Sequence, residues 1–386
     1  MQYDLTEEQR MLQDMVRRLA KEQVEPGAAR RDAEGAFDWK IVELLRENGL
    51  FGVDFDESYG GAGAGMLTLA IVVEELSKVD AACGLLVAVQ ELGNLPIAFS
   101  GNAEQKQKWL PKLATGEHLA AFALTESAAG SDVARLSCRA AKNGDFYILN
   151  GTKTFISNGG VADVFAIYAI TDPSVPAHKG SSVFVVEKGT PGFSVGKHED
   201  KMGIRWSDTA ELIFEDCRVP AANLLGQEGE GFKIMMKTLN FSRLGIAAQA
   251  LGIAAGALEY AIAYAKERET FGQPIIEHQM IGCSKLAEMK MWTEAARQLL
   301  YKTCALYQEL PKDMSQLSPE LIRMSAMAKC LCSDVAMRVT TEAVQVLGGY
   351  GYTKEFPVER MMRDAKITQI YEGTNEIMRL ITAKTL

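Results

Sequence analysis

Histidine is scarce in this chain, and positive charge is the minority sign. His118, His178, His198 and His278 stand far apart among 386 residues. They show no metal-ligand spacing, so no metal centre is expected. Lysine and arginine number 41 against 50 acidic residues, a net charge of −9. That argues against a nucleic-acid binder, whose affinity comes from a basic surface; a local basic site for an anionic ligand stays open. The chain has no uninterrupted apolar run of membrane length, and no membrane span is expected. Its N-terminus, MQYDLTEEQRML, lacks the basic start and apolar stretch of a signal peptide and is too acidic for a transit peptide. A cytoplasmic protein of bacterial type is the expectation. The seven cysteines, Cys83, Cys138, Cys217, Cys283, Cys304, Cys330 and Cys332, are odd in number and scattered. Cys330 and Cys332 are spaced neither as a redox CxxC pair nor as a usual zinc pair. All seven read as reduced core residues. No internal repeat is apparent.

What the chain has is apolar bulk. Hydrophobic residues make up 47% of it, enough for a sizeable core. A length of 386 residues suggests two or three domains at roughly 150 residues each. Residues 1–117 read as helical. Thr6-Glu7-Glu8-Gln9 has capping-box spacing, and Leu12, Met15, Val16 and Leu19 follow at helical period. Pro26 and Gly27 are expected to end that helix. A second helix, Trp39 to Asn48, stops at Gly49. SYGGAGAG (58–65) is a loop between helices without a preceding strand, hence no phosphate loop. Helices are expected at 66–79, 81–94 and 103–114, the last capped by Asn102.

The period then shortens. FYILNGTKTFIS (146–157) predicts strand, Asn-Gly turn, strand. DVFAIYAI (163–170), SSVFVVEK (181–188) and TAELIFED (209–216) extend a β domain placed at 118–230. Residues 231–386 return to helix, with long segments at 231–268, 275–309 and 318–347, a glycine turn at 348–351 and a last helix at 374–384. Long helices with short links suggest a bundle. The fold class expected is α+β multidomain: an N-terminal α-helical domain, a middle β domain and a C-terminal helical bundle.

Three clusters carry chemistry. In ALTESAAGSDVAR (123–135), Thr125 and Ser131 offer hydroxyls and Gly130 permits close backbone approach. An ordinary polar loop is the competing reading. In KERETFGQPI (266–275), Arg268 suits a pyrophosphate and Phe271 a flat ring; a helix C-cap at Gly272 is the alternative. In QVLGGYGYTKEFPVERMMRD (345–364), three glycines bare the backbone, while Arg360 and Asp364 fit a surface pair equally well. A fourth stretch, IYEGTNEIMR (370–379), sets Glu372 before a helix. Taken alone, Thr374 reads as the cap and Glu372 as an acidic residue favoured by the helix dipole.

Together the four stretches resemble the acyl-CoA dehydrogenase family, in the correct order and over essentially the whole chain. The resemblance is closest to the short-chain, butyryl-type branch. It implies an N-terminal helical domain, a β-barrel-like middle domain and a C-terminal four-helix domain, in a homotetramer built as a dimer of dimers. It implies bound FAD, an acyl-CoA substrate, and electrons passed to electron-transfer flavoprotein. Glu372 matches the base that removes the proton α to the thioester, with flavin N5 taking the β-hydride. The alternative base slot of some branches, within LNFSRLG (239–245), holds Ser242 here. Thr125, Ser131, Phe155 and Ser157 match contacts to the flavin, although tryptophan is commoner at position 155. Arg268, Phe271, Gln279 and the run Gln345, Val346, Leu347, Gly348 and Gly349 match contacts to a neighbouring subunit's flavin. Thr374 and Glu376 match the last FAD contacts. On the substrate side stand Ser131, Asn240, Arg243 and Gly373; Asn240 replaces a frequent aspartate.

The acyl group itself is open. Glu91, in AVQELGNLP (88–96), is unusual where the family shapes the far end of the acyl pocket. Base rates favour a solvated helix residue. The other reading has Glu91 in the pocket with Asn94 as its polar partner. Trp206 is bulky for its loop. An oxidase or an enoyl-CoA reductase on the same fold, and a catalytically silent flavin- or acyl-CoA-binding scaffold, are the competing functions.

Overall fold

The computed structural model describes residues 5–310 and 317–386; Met1–Asp4, the head of the expected N-terminal domain, lie outside the described residues. α1 (Glu7–Leu19) begins with the reciprocal capping box, Thr6 and Gln9 each accepting from the other's N–H. Pro26-Gly27 does not end it. A π-helical turn, Ala20–Val24, carries the chain into α2 (Glu25–Glu34). Pro26 then falls in a first turn, where a missing N–H forfeits no helical bond. The stop comes at Gly35, φ 64°. α3 (Trp39–Glu47), α4 (Gly65–Ser77), α5 (Ala81–Ser100) and α6 (Ala103–Ala114) follow. Asn102 caps α6 in a second capping box. α5 runs on past the expected end at 94 and carries Pro96 inside it.

The strands are β1 (Ala120–Ala123), β2 (Arg139–Asn143), β3 (Phe146–Ser157), β4 (Val164–Ile170), β5 (Ser181–Glu187), β6 (Phe193–His198), β7 (Thr209–Pro220) and β8 (Leu224–Leu225), with a short α7 (Ala177–Gly180) between β4 and β5. They form one mixed sheet in the order β6-β7-β3-β2-β4-β5-β8, with β1 parallel to β4. β2 and β4 share one register pair, Arg139 with Ile170. About that hinge the two halves face each other. Tyr147 of β3 meets Phe184 of β5 at 4.8 Å, and Phe165 of β4 meets Phe193 of β6 at 4.9 Å.

The expected Asn-Gly hairpin at 150–151 is one continuous strand. β3 pairs with β7 on both sides of a bulge at that point. Asn150 is engaged by Asp216, and Gly151 is there for contact: a Cβ on it would stand 2.8 Å from the Cys138 Cα. The reversal lies earlier, between β2 and β3, with Gly144 at φ 61°.

The last third contains α8 (Gly231–Glu267), a small β9–β10 hairpin (Glu269–Thr270, Gln273–Pro274), α9 (Gln279–Ile281), a π-helical turn, α10 (Glu288–Gln308), α11 (Pro319–Leu347), α12 (Val358–Thr368) and α13 (Asn375–Lys384). The helix expected at 275–309 is therefore broken at its start. Gly272 is no helix cap. Phe271 (φ 50°) and Gly272 (φ 82°) form the centre of the β9–β10 turn, the primed geometry that tight hairpins favour. α8 is buried along most of its length and has no polar face. Gly252 and Gly256 let α4 approach it closely: added Cβ atoms would lie 2.3 Å from the Glu74 carbonyl and 2.0 Å from the Lys78 carbonyl. By length and composition α5 and α8 could each cross a membrane, yet 89% and 78% of their apolar windows are buried inside the molecule.

Buried charge ties the layers together. Asp80 caps α5 through Ala82 N–H, accepts Arg31 Nη2 of α2 at 2.9 Å, and accepts Trp206 Nε1 of the β6–β7 connection at 3.0 Å. Trp206 thus belongs to a structural node rather than to the acyl pocket. Arg360 and Asp364 are not a surface pair either. Both are buried; Arg360 donates to the Val79 carbonyl and Asp364 accepts from Ile204 N–H. Burial pushes the Asp364 carboxyl up to about 7.

Asp80→Ala removes the anion from a buried pair and orphans Arg31. Such a loss costs about 3–5 kcal/mol. The expected outcome is a clear fall in the thermal unfolding midpoint, with Trp206→Phe, which removes the indole N–H but leaves the Arg31–Asp80 pair in place, shifting it less.

Candidate active site

IYEGTNEIMR becomes a turn between α12 and α13. Thr374 is the helix cap, its hydroxyl accepting from Ile377 N–H. Glu372 is thereby free of that duty. Its backbone is left-handed at φ 56°, followed by Gly373 at φ 95°, a conformation disfavoured for a residue with a Cβ. Three side chains hold it there. Ser242 Oγ donates to Glu372 Oε2 at 2.7 Å, Arg243 Nε donates to the Glu372 carbonyl at 3.3 Å, and Lys329 Nζ donates to the Gly373 carbonyl at 2.7 Å. Lys329 also donates to Asn375 Oδ1 at 3.1 Å, and the Asn375 amide reaches Ser333 and Asp334 on α11. Among the described residues, Glu372 N–H donates to no backbone carbonyl.

Burial raises the pKa of Glu372; the Ser242 hydrogen bond and the positive charges of Arg243 and Lys329 pull it back. The same burial lowers Lys329 to about 8. A desolvated carboxylate that still ionises is a competent base.

The carboxylate faces a narrow cavity of 20 Å³, room for one water molecule. Leu85, Ala88, Val89 and Leu92 of α5 form one wall; Ser157 of β3, Ser242 and Ile246 of α8, and Tyr371 complete it. A larger cleft of 1120 Å³ lies between α1, α2 and α12. Several of its cations are paired, Arg17 with Glu75, Lys21 with Glu25 and Arg363 with Asp32.

The flavin-side expectations fall on one rim. Glu126, buried in the 123–135 loop, accepts from Ser137 N–H, Cys138 N–H and Lys153 Nζ at 2.7 Å, 3.0 Å and 2.7 Å. That ion pair anchors the loop carrying Thr125 and Ser131. Thr154 N–H donates to the Thr125 carbonyl at 2.9 Å, which sets Thr125 beside Phe155 and Ser157. Phe155 is 64% exposed in a left-handed conformation, Thr154 Oγ1 is buried without a partner, and nothing lies within 4 Å of a Cβ on Gly130. An exposed ring, an orphaned hydroxyl and open backbone suit a flat, polar-edged group, so these residues fit a flavin.

The second set sits elsewhere. Arg268 stands 5.9 Å from the Tyr350 ring, which joins the end of α8 to the 348–352 turn. Phe271 is 99% exposed; Gln279, Gln345, Gly348 and Gly349 are exposed, while Val346 and Leu347 are buried in the core. Glu376 is exposed in the first turn of α13. Asn240 is buried and its Oδ1 accepts from Arg243 Nη1 at 2.7 Å.

Glu91 is no solvated residue: it is 1% exposed. Asn94 is not its partner, because the Asn94 amide donates to the backbone carbonyls of Gln90 and Glu91. α5 is buried on every side from Ala81 to Ile97, so Glu91 has no solvated face to occupy. Lys329 and Asp54 escaped sequence reasoning. A lysine within the small-residue run MSAMAKCLCS was the one available signal for the former; Asp54 had none.

A desolvated carboxylate in an apolar slot where a helical layer, a mixed sheet and a helical bundle meet, with the flavin-suited strand end at Ser157 on its wall, fits a flavin-linked dehydrogenase. Comparison with known proteins makes it specific. Family models for the N-terminal, middle and C-terminal domains of acyl-CoA dehydrogenase match residues 6–117, 121–217 and 229–386. The cyclohex-1-ene-1-carbonyl-CoA dehydrogenase of Geobacter metallireducens is 47% identical over 99% of this chain and 98% of its own. Butyryl-CoA dehydrogenase from Megasphaera elsdenii superposes with TM-score 0.95 at 46% identity, covering 100% of this chain and 99% of that one. A chain in a solved structure of the electron transferring flavoprotein of Acidaminococcus fermentans is 49% identical, with TM-score 0.95 over 100% and 99% of the two chains. The protein belongs to the acyl-CoA dehydrogenase family. It is an FAD-dependent oxidoreductase acting on acyl-CoA thioesters.

Ser242 stabilises the ionised form of Glu372, so its loss raises the carboxyl further. In Ser242→Ala the acid limb of flavin reduction by substrate should move to higher pH by about one unit, the equivalent of one charge-assisted hydrogen bond. An unmoved limb in a pH-jump single-turnover experiment would detach Ser242 from the base.

Proposed function

We propose that Glu372 removes the α-proton of an acyl-CoA thioester to give a 2-enoyl-CoA. The observation that carries this reading is the half-buried Glu372 carboxylate, desolvated yet hydrogen-bonded by Ser242, at the mouth of an apolar slot. An α-proton is weakly acidic, so the base needs help from charge stabilisation at the thioester oxygen. The Glu372 N–H, bound to no backbone carbonyl among the described residues, is the donor assigned to that oxygen. Arg243 and Asn240, joined to each other beside the turn, with Ser131 and Gly373, are assigned to the thioester and CoA side. Bound FAD supplies the acceptor for the β-hydride.

Thr125, Ser131, Phe155 and Ser157 hold the ring edge in this reading, with Thr374 and Glu376 near the base. Arg268, Phe271, Gln279 and the Gln345–Gly349 turn are assigned to the FAD of a neighbouring subunit, Val346 and Leu347 through their backbone. The exposure of Phe271 supports an intersubunit role, since a large solvated aromatic gains from burial, and a homotetramer built as a dimer of dimers is the assembly proposed with it. Electron-transfer flavoprotein is the proposed electron acceptor, supported by the likeness to the Acidaminococcus chain. A silent scaffold fits poorly with the hydrogen bonds spent on Glu372. Stopped-flow reduction with and without oxygen separates dehydrogenase from oxidase.

Glu372→Gln fills the same space and cannot accept the proton. It should keep FAD and lose flavin reduction by butyryl-CoA by roughly 10²–10⁴-fold, the range expected for a general base. Near-normal single-turnover reduction would remove Glu372 from the mechanism. Arg268→Ala should loosen FAD and the oligomer together, because a ligand bridging subunits stabilises their association. Full FAD occupancy in an unchanged assembly, by absorbance and sedimentation, contradicts the intersubunit assignment.

A further inference from the structure

The apolar wall of the cavity conceals a second carboxyl. Glu91 lies on α5 between the wall residues Ala88 and Leu92. Neither of its carboxyl oxygens has a hydrogen-bond partner among the described residues. A Cβ built on Gly245 of α8 would stand 3.5 Å from Glu91 Oε2 and 3.3 Å from the Ala88 Cβ. The carboxyl therefore fills the groove between α5 and α8, next to Ile246, and the glycine leaves it room. The charges acting on it are both negative, Asp54 and Glu372, and one oxygen of Asp54 is likewise buried without a partner. Burial and these two neighbours push the Glu91 carboxyl well above the usual range. Both effects favour the uncharged acid, which has one O–H to donate and lone pairs to accept.

Buried polar groups left without partners are uncommon in folded proteins and call for an explanation. A plain alkyl chain would dehydrate this one further and give it nothing. An anionic acyl tail would meet Asp54 and Glu372. An uncharged oxygen function on the acyl group satisfies both constraints. We propose that Glu91 is a specificity-determining residue that hydrogen-bonds an uncharged hydroxyl, ether or carbonyl oxygen carried by the acyl chain beyond its β-carbon. The proposal rests on Glu372 being the base of the same cavity, which makes α5 the acyl wall.

The test uses the FAD-loaded enzyme and one near-isosteric pair, 5-hydroxypentanoyl-CoA and hexanoyl-CoA, with glutaryl-CoA as the anionic comparison. Wild type should be reduced by the hydroxy compound at least ~10-fold more efficiently than by hexanoyl-CoA, since a site built to bond a hydroxyl penalises the analogue lacking it. Glu91→Leu should reverse that ratio, chiefly through KM, while Glu91→Gln, whose amide still donates, should retain most of it. Glutaryl-CoA should be the poorest substrate of wild type. An equal ratio in wild type and Glu91→Leu, or a wild-type preference for hexanoyl-CoA, overturns the proposal. If Glu91→Leu does not fold, the wild-type ratio and Glu91→Gln decide. The base assignment fails separately: Glu372→Gln would then still be reduced by butyryl-CoA.

Discussion

A desolvated carboxylate on a half-buried, left-handed residue is the constraint around which this protein is built. A non-glycine residue in that conformation costs of order 1–3 kcal/mol, and desolvating its charge costs more. Glu372 persists there because two helices remote in sequence meet at its turn. α8 contributes Ser242 to the carboxylate and Arg243 to the carbonyl; α11 contributes Lys329 to the following carbonyl. The same contacts set its chemistry. Burial alone would leave a protonated acid, and full exposure would leave a weak base. The opposing pulls of desolvation, one hydroxyl and two cations leave a carboxyl raised yet able to ionise.

Bringing α8 and α11 to that turn is the work of the wider fold. α8 is buried along most of its length and runs through the middle of the molecule. Gly252 and Gly256 let the end of α4 come close, which fixes where α5 begins. Asp80, immediately before α5, is gripped by Arg31 from α2 and Trp206 from the β6–β7 connection. Helical layer and sheet therefore share one buried node, α12 joins beside it through Arg360 on the Val79 carbonyl and Asp364 on Ile204 N–H, and the slot between α5, β3 and α8 inherits its shape from them. On the opposite rim the Glu126–Lys153 pair, nearly inaccessible to solvent, does for the 123–135 loop what Asp80 does for the layers.

Two desolvated carboxyls, the half-buried Glu372 and the buried Glu91, are held by opposite means. Glu372 has a hydroxyl and two cations about it. Glu91 has only negative neighbours and no partner. One environment preserves ionisation and the other suppresses it, although both groups lie against the same pair of helices, α5 and α8.

Much of the fold was readable along the chain because its signals are local. Thr6 and Asn102 with their glutamines three residues on mark helix starts whatever surrounds them, and the shift in apolar period near residue 119 marks the sheet. The four motif stretches named the family, and the capping role of Thr374 was explicit. Local signals failed where a distant partner overrode them. Asn150-Gly151 has the composition of a turn, yet Gly151 lies in a strand because Cys138 needs the space. Pro26 has the look of a stop, yet a π-helical turn absorbs it. Glu91 is of a residue type that base rates place in water, and Trp206 looked like a pocket residue until Asp80 claimed its indole. The amino-acid order by itself determined which segments are helix or strand and which carboxylate invited a chemical reading. Only the tertiary structure decided that Ser242, Arg243 and Lys329 converge on Glu372 and that Glu91 is buried, because burial and long-range hydrogen bonds depend on which helices pack together.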